Sequence, residues 1–330
     1  MDSRLITLPV GAVVPTFNCR PYLPMHLASM REWADRVEEI VVVDSFSSDG
    51  TVEFLREHLN FPNVRFLSHP RGLYESWNFG VSGVRAKYTY FSTVGDSITP
   101  AGLEHLVEVA EKFRADVTVS PPRSVGPDGR TLKTIRWPVD DLINWWAITA
   151  PAAVSSLHAF LMSAMPMSEG ILGSSASNLY RTELLKRCPF PTHCGHAGDT
   201  AWSLQYGLQS RFAVTPAVVS QFLIHPKDFS IGDEERVRLF ELFFDIGLKA
   251  CRESDPGGLL PFLENLRAET AQLRARQRAY DRLRKHRFPW VLNPQAWSLR
   301  SRRNQQRQVV AAMKSRICAQ FGVQPRGTAQ

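Results

Sequence analysis

Two acidic residues stand where an apolar run gives way to small polar residues. Asp44 follows Val41-Val42-Val43 and precedes Ser45-Phe46-Ser47-Ser48-Asp49-Gly50-Thr51. Asp96 lies in a second such run, YTYFSTVGDSITP, from Tyr88 to Pro100. Each reads as a strand whose carboxyl end carries a carboxylate and then turns toward a helix. In open α/β sheets, ligands occupy the crevice outside those strand ends. Two acidic strand ends in one half of a domain are therefore a candidate site for a polar ligand. The competing reading is structural: Asp44 and Asp49 cap the turn and helix that follow.

The flanking sequence supplies the elements that would position these groups. Residues 9–14 (PVGAVV) form an apolar strand ending at Pro15-Thr16-Phe17-Asn18, which is turn chemistry. Leu23, Leu27 and Met30 then recur at helical spacing, as do Val52, Leu55 and Leu59 after Gly50-Thr51. Further strands are expected at 40–43, 64–67, 88–92 and 117–119, with helices from Leu73 to Val84 and from Leu103 to Phe113. Such alternation predicts an α/β fold with a mostly parallel sheet and helices on both faces. The pattern is irregular between Pro121 and Met167, regular again over 176–187 and from Asp199, and all-helical after Gly232, where Leu260 to His286 forms one long basic candidate.

Charge is unevenly spread. Residues 252–330 hold 16 Lys and Arg against 5 Asp and Glu, whereas the whole chain holds 39 against 32. The basic character belongs to the tail, and the first 251 residues are mildly acidic. The five cysteines are odd in number and widely spaced, and no signal-peptide pattern opens the sequence, so a reducing cytoplasm is expected. Leu142 to Ser168 carries no Asp, Glu, Lys or Arg, but Pro151, Pro166 and several polar side chains interrupt it. It reads as a buried pair of short helices beside the site rather than as a membrane span. Cys188, His193, Cys194 and His196 crowd one loop, yet their spacing matches no zinc knuckle or finger.

The ordered set PTFN, VVVDSFSSDGT, GLYESWNFG, YTYFSTVGDSITP and HAGDTAW resembles the family 2 glycosyltransferases of the GT-A fold. The likeness runs over about residues 9–235. It implies a GT-A domain at 1–235, with a nucleotide half (about 1–120) and an acceptor half (about 121–235), followed by a basic helical extension at 236–330. The implied reaction moves a sugar from a nucleotide-sugar donor to a hydroxyl acceptor with inversion, in a hexosyltransferase-like manner.

Carried over residue by residue, the resemblance puts Pro15 and Phe17 against the nucleotide base. Asn18 shapes the turn, Asp44 forms the pocket wall, and Asn78 comes from the helix beneath the nucleotide. Ser45 stands where the family often has a second Asp, and its hydroxyl can still make one hydrogen bond. Trp77 replaces a residue that is commonly basic, and packing suffices to explain it. The family's metal motif, Asp-x-Asp or Asp-Asp, is reduced here to Thr93-Val94-Gly95-Asp96. Either Asp96 holds Mg²⁺ or Mn²⁺ with help from His225, which precedes Ser230 in a late segment, or metal binding is weak or absent. Asp199, after Gly198 and at the start of a helix, inherits the role of the base that takes the acceptor's proton. Helix capping is the alternative for it. His196 becomes a contact to acceptor or phosphate.

Relatives with lipid-linked or cell-surface acceptors make a glycan or lipid-linked acceptor the expected partner. They also make the inner face of a membrane a candidate location, reached through the basic C-terminal helices, whose charge run reads equally as a solvated or oligomeric face. Nucleic acid is not an expected partner. The rival reading is a catalytically inactive nucleotide- or glycan-binding module on the same fold. A nucleotidyltransferase is disfavoured, because no Gly-rich loop bearing Lys or Arg follows the first strand.

Overall fold

A computed structural model describes residues 7–132, 137–165, 170–224, 232–254, 256–285 and 294–322. The chain divides into two units, residues 1–243 and 244–330.

In the first unit the strand and helix periods fall where the apolar pattern puts them. β1 (Leu8–Thr16) leads to α1 (Leu23–Met30), β2 (Val37–Asp44), α2 (Thr51–His58), β3 (Val64–Ser68), α3 (Leu73–Gly83) and β4 (Tyr88–Phe91). The short β5 (Ser97–Ile98) precedes α4 (Pro100–Phe113), β6 (Val117–Val119) and β7 (Arg123–Val125). Next come α5 (Pro138–Trp145), β8 (Ala152–Val154), α6 (Ser156–Ala164), β9 (Asn178–Arg181), α7 (Thr182–Arg187), α8 (Gly198–Tyr206), β10 (Phe212–Val214) and β11 (Ser220–Leu223). α9 (Asp233–Ser254) begins in this unit and ends in the second.

The main sheet has the order β3-β2-β1-β4-β9-β6-β10-β8, and a three-stranded sheet has the order β5-β11-β7. β1 pairs in parallel with β2 (Val13 opposite Val41) and with β4 (Ala12 opposite Tyr90). β9 enters antiparallel between β4 and β6. The regular stretch at 176–187 is therefore a strand followed by a helix, and β9 and the edge strand β8, antiparallel to β10, interrupt the otherwise parallel order. Side chains alternate across the sheet, as the strand period requires. Val13, Val41, Val43 and Phe91 pack with α3, α5, α6 and α8 on one face. Val10, Ala12, Val14, Ile40 and Val42 pack with α1, α2 and α4 on the other. Both faces are covered, which explains why the strands read as nearly continuous apolar runs.

Glycines set two of the approaches. Gly50 precedes α2 with φ 82°, a left-handed conformation that Gly adopts without a Cβ penalty. A Cβ on Gly80 would lie 2.5 Å from Val13 Cγ1, so its absence lets α3 lie against β1. The uncharged stretch from Leu142 forms parts of α5 and α6 with β8 between them, and it buries Leu142, Phe160, Leu161 and Met162. Among the described residues no helix is long and apolar enough to cross a membrane.

In the second unit, α10 (Leu260–Lys285) and α11 (Pro294–Gln320) run in opposite directions, since Phe262 meets Phe321, Glu269 meets Gln306 and Arg276 meets Arg302. Arg276 donates to Gln306 Oε1 at 2.6 Å and to the Arg302 carbonyl at 3.1 Å, and the Arg303 guanidinium lies 4.4 Å from the Tyr280 ring centre. Leu263, Leu266, Val310 and Ile317 are buried.

Candidate active site

The carboxyl ends of β1 and β2 and the first turn of α3 enclose a cleft of about 170 Å³, lined by Pro15, Thr16, Phe17, Ser45, Arg71, Gly72, Leu73 and Ser76. This is the crevice where an open α/β sheet binds ligands. α3 begins there, and the first turn of a helix carries the positive end of its dipole. Phe17 is 39% exposed and carries the Arg71 guanidinium 4.4 Å above its ring centre. The Ser45 and Ser76 hydroxyls pair at 3.2 Å across the floor. Phe46, in the adjoining loop, is 66% exposed and held at φ 57°.

Of the residues expected around the nucleotide, Pro15, Phe17 and Ser45 line this cleft. Asn18 shapes the turn beside it: with φ 44° it donates its N–H to Ser47 Oγ, and its side-chain oxygen accepts from the Ser48 N–H, both at 2.9 Å. Asp44 stands behind the cleft rather than on its surface. Its carboxylate accepts from Thr16 Oγ1 at 2.9 Å, Ser47 Oγ at 2.6 Å and the Ser47 N–H at 2.8 Å. The capping alternative thus describes what the Asp44 oxygens do. Asp49 behaves similarly, accepting from the Arg20 N–H at 3.0 Å and from Thr51. Asn78 does not line the cleft either, because its amide is spent on the Phe190 backbone, donating to the carbonyl at 2.8 Å and accepting from the N–H at 2.9 Å. Trp77 is buried and stacked on Phe91 at 4.0 Å, as packing alone requires.

Asp199 lies at the start of α8, half-buried, with Oδ1 accepting from its neighbour's Thr200 N–H at 2.6 Å. Burial raises its pKa from the ordinary value, opposed by hydrogen bonds from Thr200 and Tyr74 and by the charge of His196. A carboxylate so placed is a stronger proton acceptor than one in water. His196 itself is exposed, and its carbonyl accepts from the Tyr74 hydroxyl at 3.1 Å.

Tyr74 and Arg71 were not evident from sequence. The only local signal for Arg71 is a cation placed just before the Gly72 that opens a helix. α3 links the cleft to Asp199: Leu73 and Ser76 line the cleft, while Tyr74, on the same turn, bonds His196 in the turn that leads into α8 and Asp199.

Of the residues expected to hold a metal, only Asp96 lies among the described residues. Asp96 is buried, and its Oδ1 accepts from the Leu223 N–H at 2.9 Å. Burial pushes its pKa up to about 7, against hydrogen bonds from Leu223 and Ser174. Thr93, upstream in the same segment, pairs its hydroxyl with Ser175 at 2.8 Å. Among the described residues no three His, Cys, Asp or Glu side chains converge as a metal site would require. Among the described residues Asp96 alone is left to hold Mg²⁺ or Mn²⁺, with one oxygen already accepting from the Leu223 N–H, so donor phosphates and water would have to supply most of the shell. His225 and Ser230 lie outside the described residues.

Residues 12–168 match the family model for glycosyl transferase family 2. Chondroitin synthase of Escherichia coli is 26% identical over 137 residues, a match covering 39% of this chain and 20% of that protein. The chain thus spans about a fifth of that relative's length. Among solved structures, S. aureus TarS 1–349 in complex with UDP-GlcNAc superposes with a TM-score of 0.56 at 17% identity, covering 95% of this chain and 92% of that one. The same protein in complex with UDP gives 0.53 at 18% identity, covering 95% and 91%. At these identities the likeness is one of fold.

Proposed function

We propose that this chain, whose residues 12–168 are a glycosyl transferase family 2 domain on a GT-A sheet, moves a sugar from a nucleotide-sugar donor to a hydroxyl acceptor with inversion. The observation that carries the reading is the shared turn of α3, which lines the donor cleft with Leu73 and Ser76 and touches the Asp199 loop with Tyr74. The base stacks against Phe17, with Ser45 offering a hydrogen bond. UDP and UDP-GlcNAc in the structurally similar TarS complexes support a uridine donor.

In this mechanism Asp199 accepts the acceptor hydroxyl's proton as the oxygen attacks the anomeric carbon. The bond from that carbon to the diphosphate oxygen breaks, and the nucleoside diphosphate leaves with the electron pair. Arg71 and the N-terminus of α3 supply positive potential to the departing phosphates. A single displacement inverts the anomeric configuration.

The acceptor is proposed to be a glycan or a lipid-linked sugar of the cell surface, a reading supported by the name of the chondroitin synthase relative. Peripheral contact with the inner face of a membrane is supported by Arg278, Arg282, Arg300 and Arg302, all exposed on α10 and α11. The Thr93–Asp96 segment favours a second reading, a nucleotide- or glycan-binding module without turnover, because its described side chains do not form a metal site. A panel of nucleotide-sugars tested for thermal stabilisation and for nucleoside diphosphate release decides between them. Stabilisation with release supports the enzyme, and stabilisation without release for any acceptor supports the module.

A further inference from the structure

We propose that Tyr74 is the positioning residue for Asp199, fixing the start of α8 with its ring and serving the carboxylate with its hydroxyl. The inference rests on the reading of Asp199 as the base.

The ring has a steric role. A Cβ on Gly198 would lie 2.5 Å and 2.6 Å from Tyr74 Cδ2 and Cε2, and 2.7 Å from the Pro191 carbonyl. Real Cβ atoms do not make such contacts, so Tyr74 occupies the volume that a side chain beside Asp199 would need. The ring is itself held: it stacks on Phe190 at 5.6 Å and 25° and meets Trp77 edge-on at 5.1 Å. Phe190 in turn is fixed by its backbone bonds to Asn78. One face of α3 therefore holds the residue before Asp199 through packed aromatic contacts, which leave little slack in a close-packed interior.

The hydroxyl has a chemical role. It donates to the His196 carbonyl at 3.1 Å and also faces the Asp199 carboxylate. A hydroxyl has one proton and can rotate it between two acceptors. Given to Asp199 while that residue is ionised, the proton stabilises the base form. Given to His196, it releases the carboxylate to take the acceptor's proton. The other titratable groups facing Asp199 are His196, on its own loop, and Tyr180, from β9. Tyr180 is buried with its pKa raised far above the physiological range, so it stays neutral throughout.

Tyr74→Phe keeps the ring and deletes only the hydroxyl. The expected result is an unchanged melting temperature and donor Kd, with kcat about ten-fold lower, the scale of one hydrogen bond to a charged group. The acid limb of the kcat–pH profile moves up, because the ionised base has lost a donor. Titration of the Asp199 carboxyl by ¹³C NMR reads the same shift without any turnover. Gly198→Ala is expected to impair kcat severely, and Tyr74→Ala beside it to relieve only the ring's share of the clash, because the Pro191 carbonyl at 2.7 Å remains. A Tyr74→Phe protein with wild-type kcat and an unmoved Asp199 titration overturns the proposal. If Asp199→Asn retains full activity, the reading of the base fails first, and the NMR shift then speaks only to Tyr74's contact with the carboxylate.

Discussion

Asn78 and Phe190, far apart in sequence, exchange two hydrogen bonds, side-chain amide to backbone, at 2.8 Å and 2.9 Å. The pairing pins the loop before α8 to α3. Through Phe190, which stacks on Tyr74, Asn78 is thereby linked to the loop before α8.

Asn78→Ala leaves both Phe190 backbone groups without these partners. Chemical denaturation should show a loss of about 1–3 kcal/mol, the cost of unsatisfied buried polar groups. Calorimetry should show donor affinity close to wild type. A pronounced loss of nucleotide affinity with unchanged stability would return Asn78 to the donor site.

Arg71 and Phe17 make the opposite prediction. Arg71→Ala removes a cation from the cleft, and Phe17→Ala removes the exposed ring beneath it. Both should weaken nucleoside diphosphate binding, by about 1–3 kcal/mol for the stacking residue. Only Arg71→Ala should lose more affinity for the diphosphate than for the free nucleoside. Equal losses for the two ligands would remove Arg71 from the phosphates.

Asp96→Asn keeps an oxygen to accept from the Leu223 N–H. The variant should fold and should bind donor as the wild type does, and chelator should leave donor binding unchanged in both. Donor binding that vanishes with chelator and returns with Mn²⁺ would mean that a metal is held, with ligands beyond those described here.

The folded-state pKa of Asp199 is raised above its unfolded value by burial. Its contribution to stability is therefore fully present below the unfolded pKa, about 3.9, and is lost as pH rises through the folded value. Asp199→Asn has no charge to bury, so its stability relative to wild type should improve from acid toward neutral pH. Parallel denaturation midpoints across that window would show that burial costs the carboxylate nothing.

The fold was largely legible because short continuous apolar runs and helical spacing alternate cleanly from Pro9 to Phe113. β9 was hidden, since four residues wedged between turns and a helix show no alternation. The cleft was half legible. Pro15, Phe17 and Ser45 sit at strand ends that the pattern locates, and Asn18 belongs to the turn between them. The roles of Asp44 and Asn78 were not, because a strand-end carboxylate and a helix amide look the same in sequence whether their partners are a ligand or the backbone. Thr16, Ser47 and Phe190 supply those partners only once the chain is folded. Gly198 was legible only as a missing side chain, and Tyr74, which fills its space, comes from a distant helix.

The central claim is that Asp199 takes the acceptor's proton, and the rate of nucleoside diphosphate release by Asp199→Asn tests it most directly. Asn keeps the size of Asp, so donor Kd should stay near wild type while release falls by roughly 10²–10⁴, the usual worth of a general base. Release at the wild-type rate from a folded Asp199→Asn protein would contradict the account.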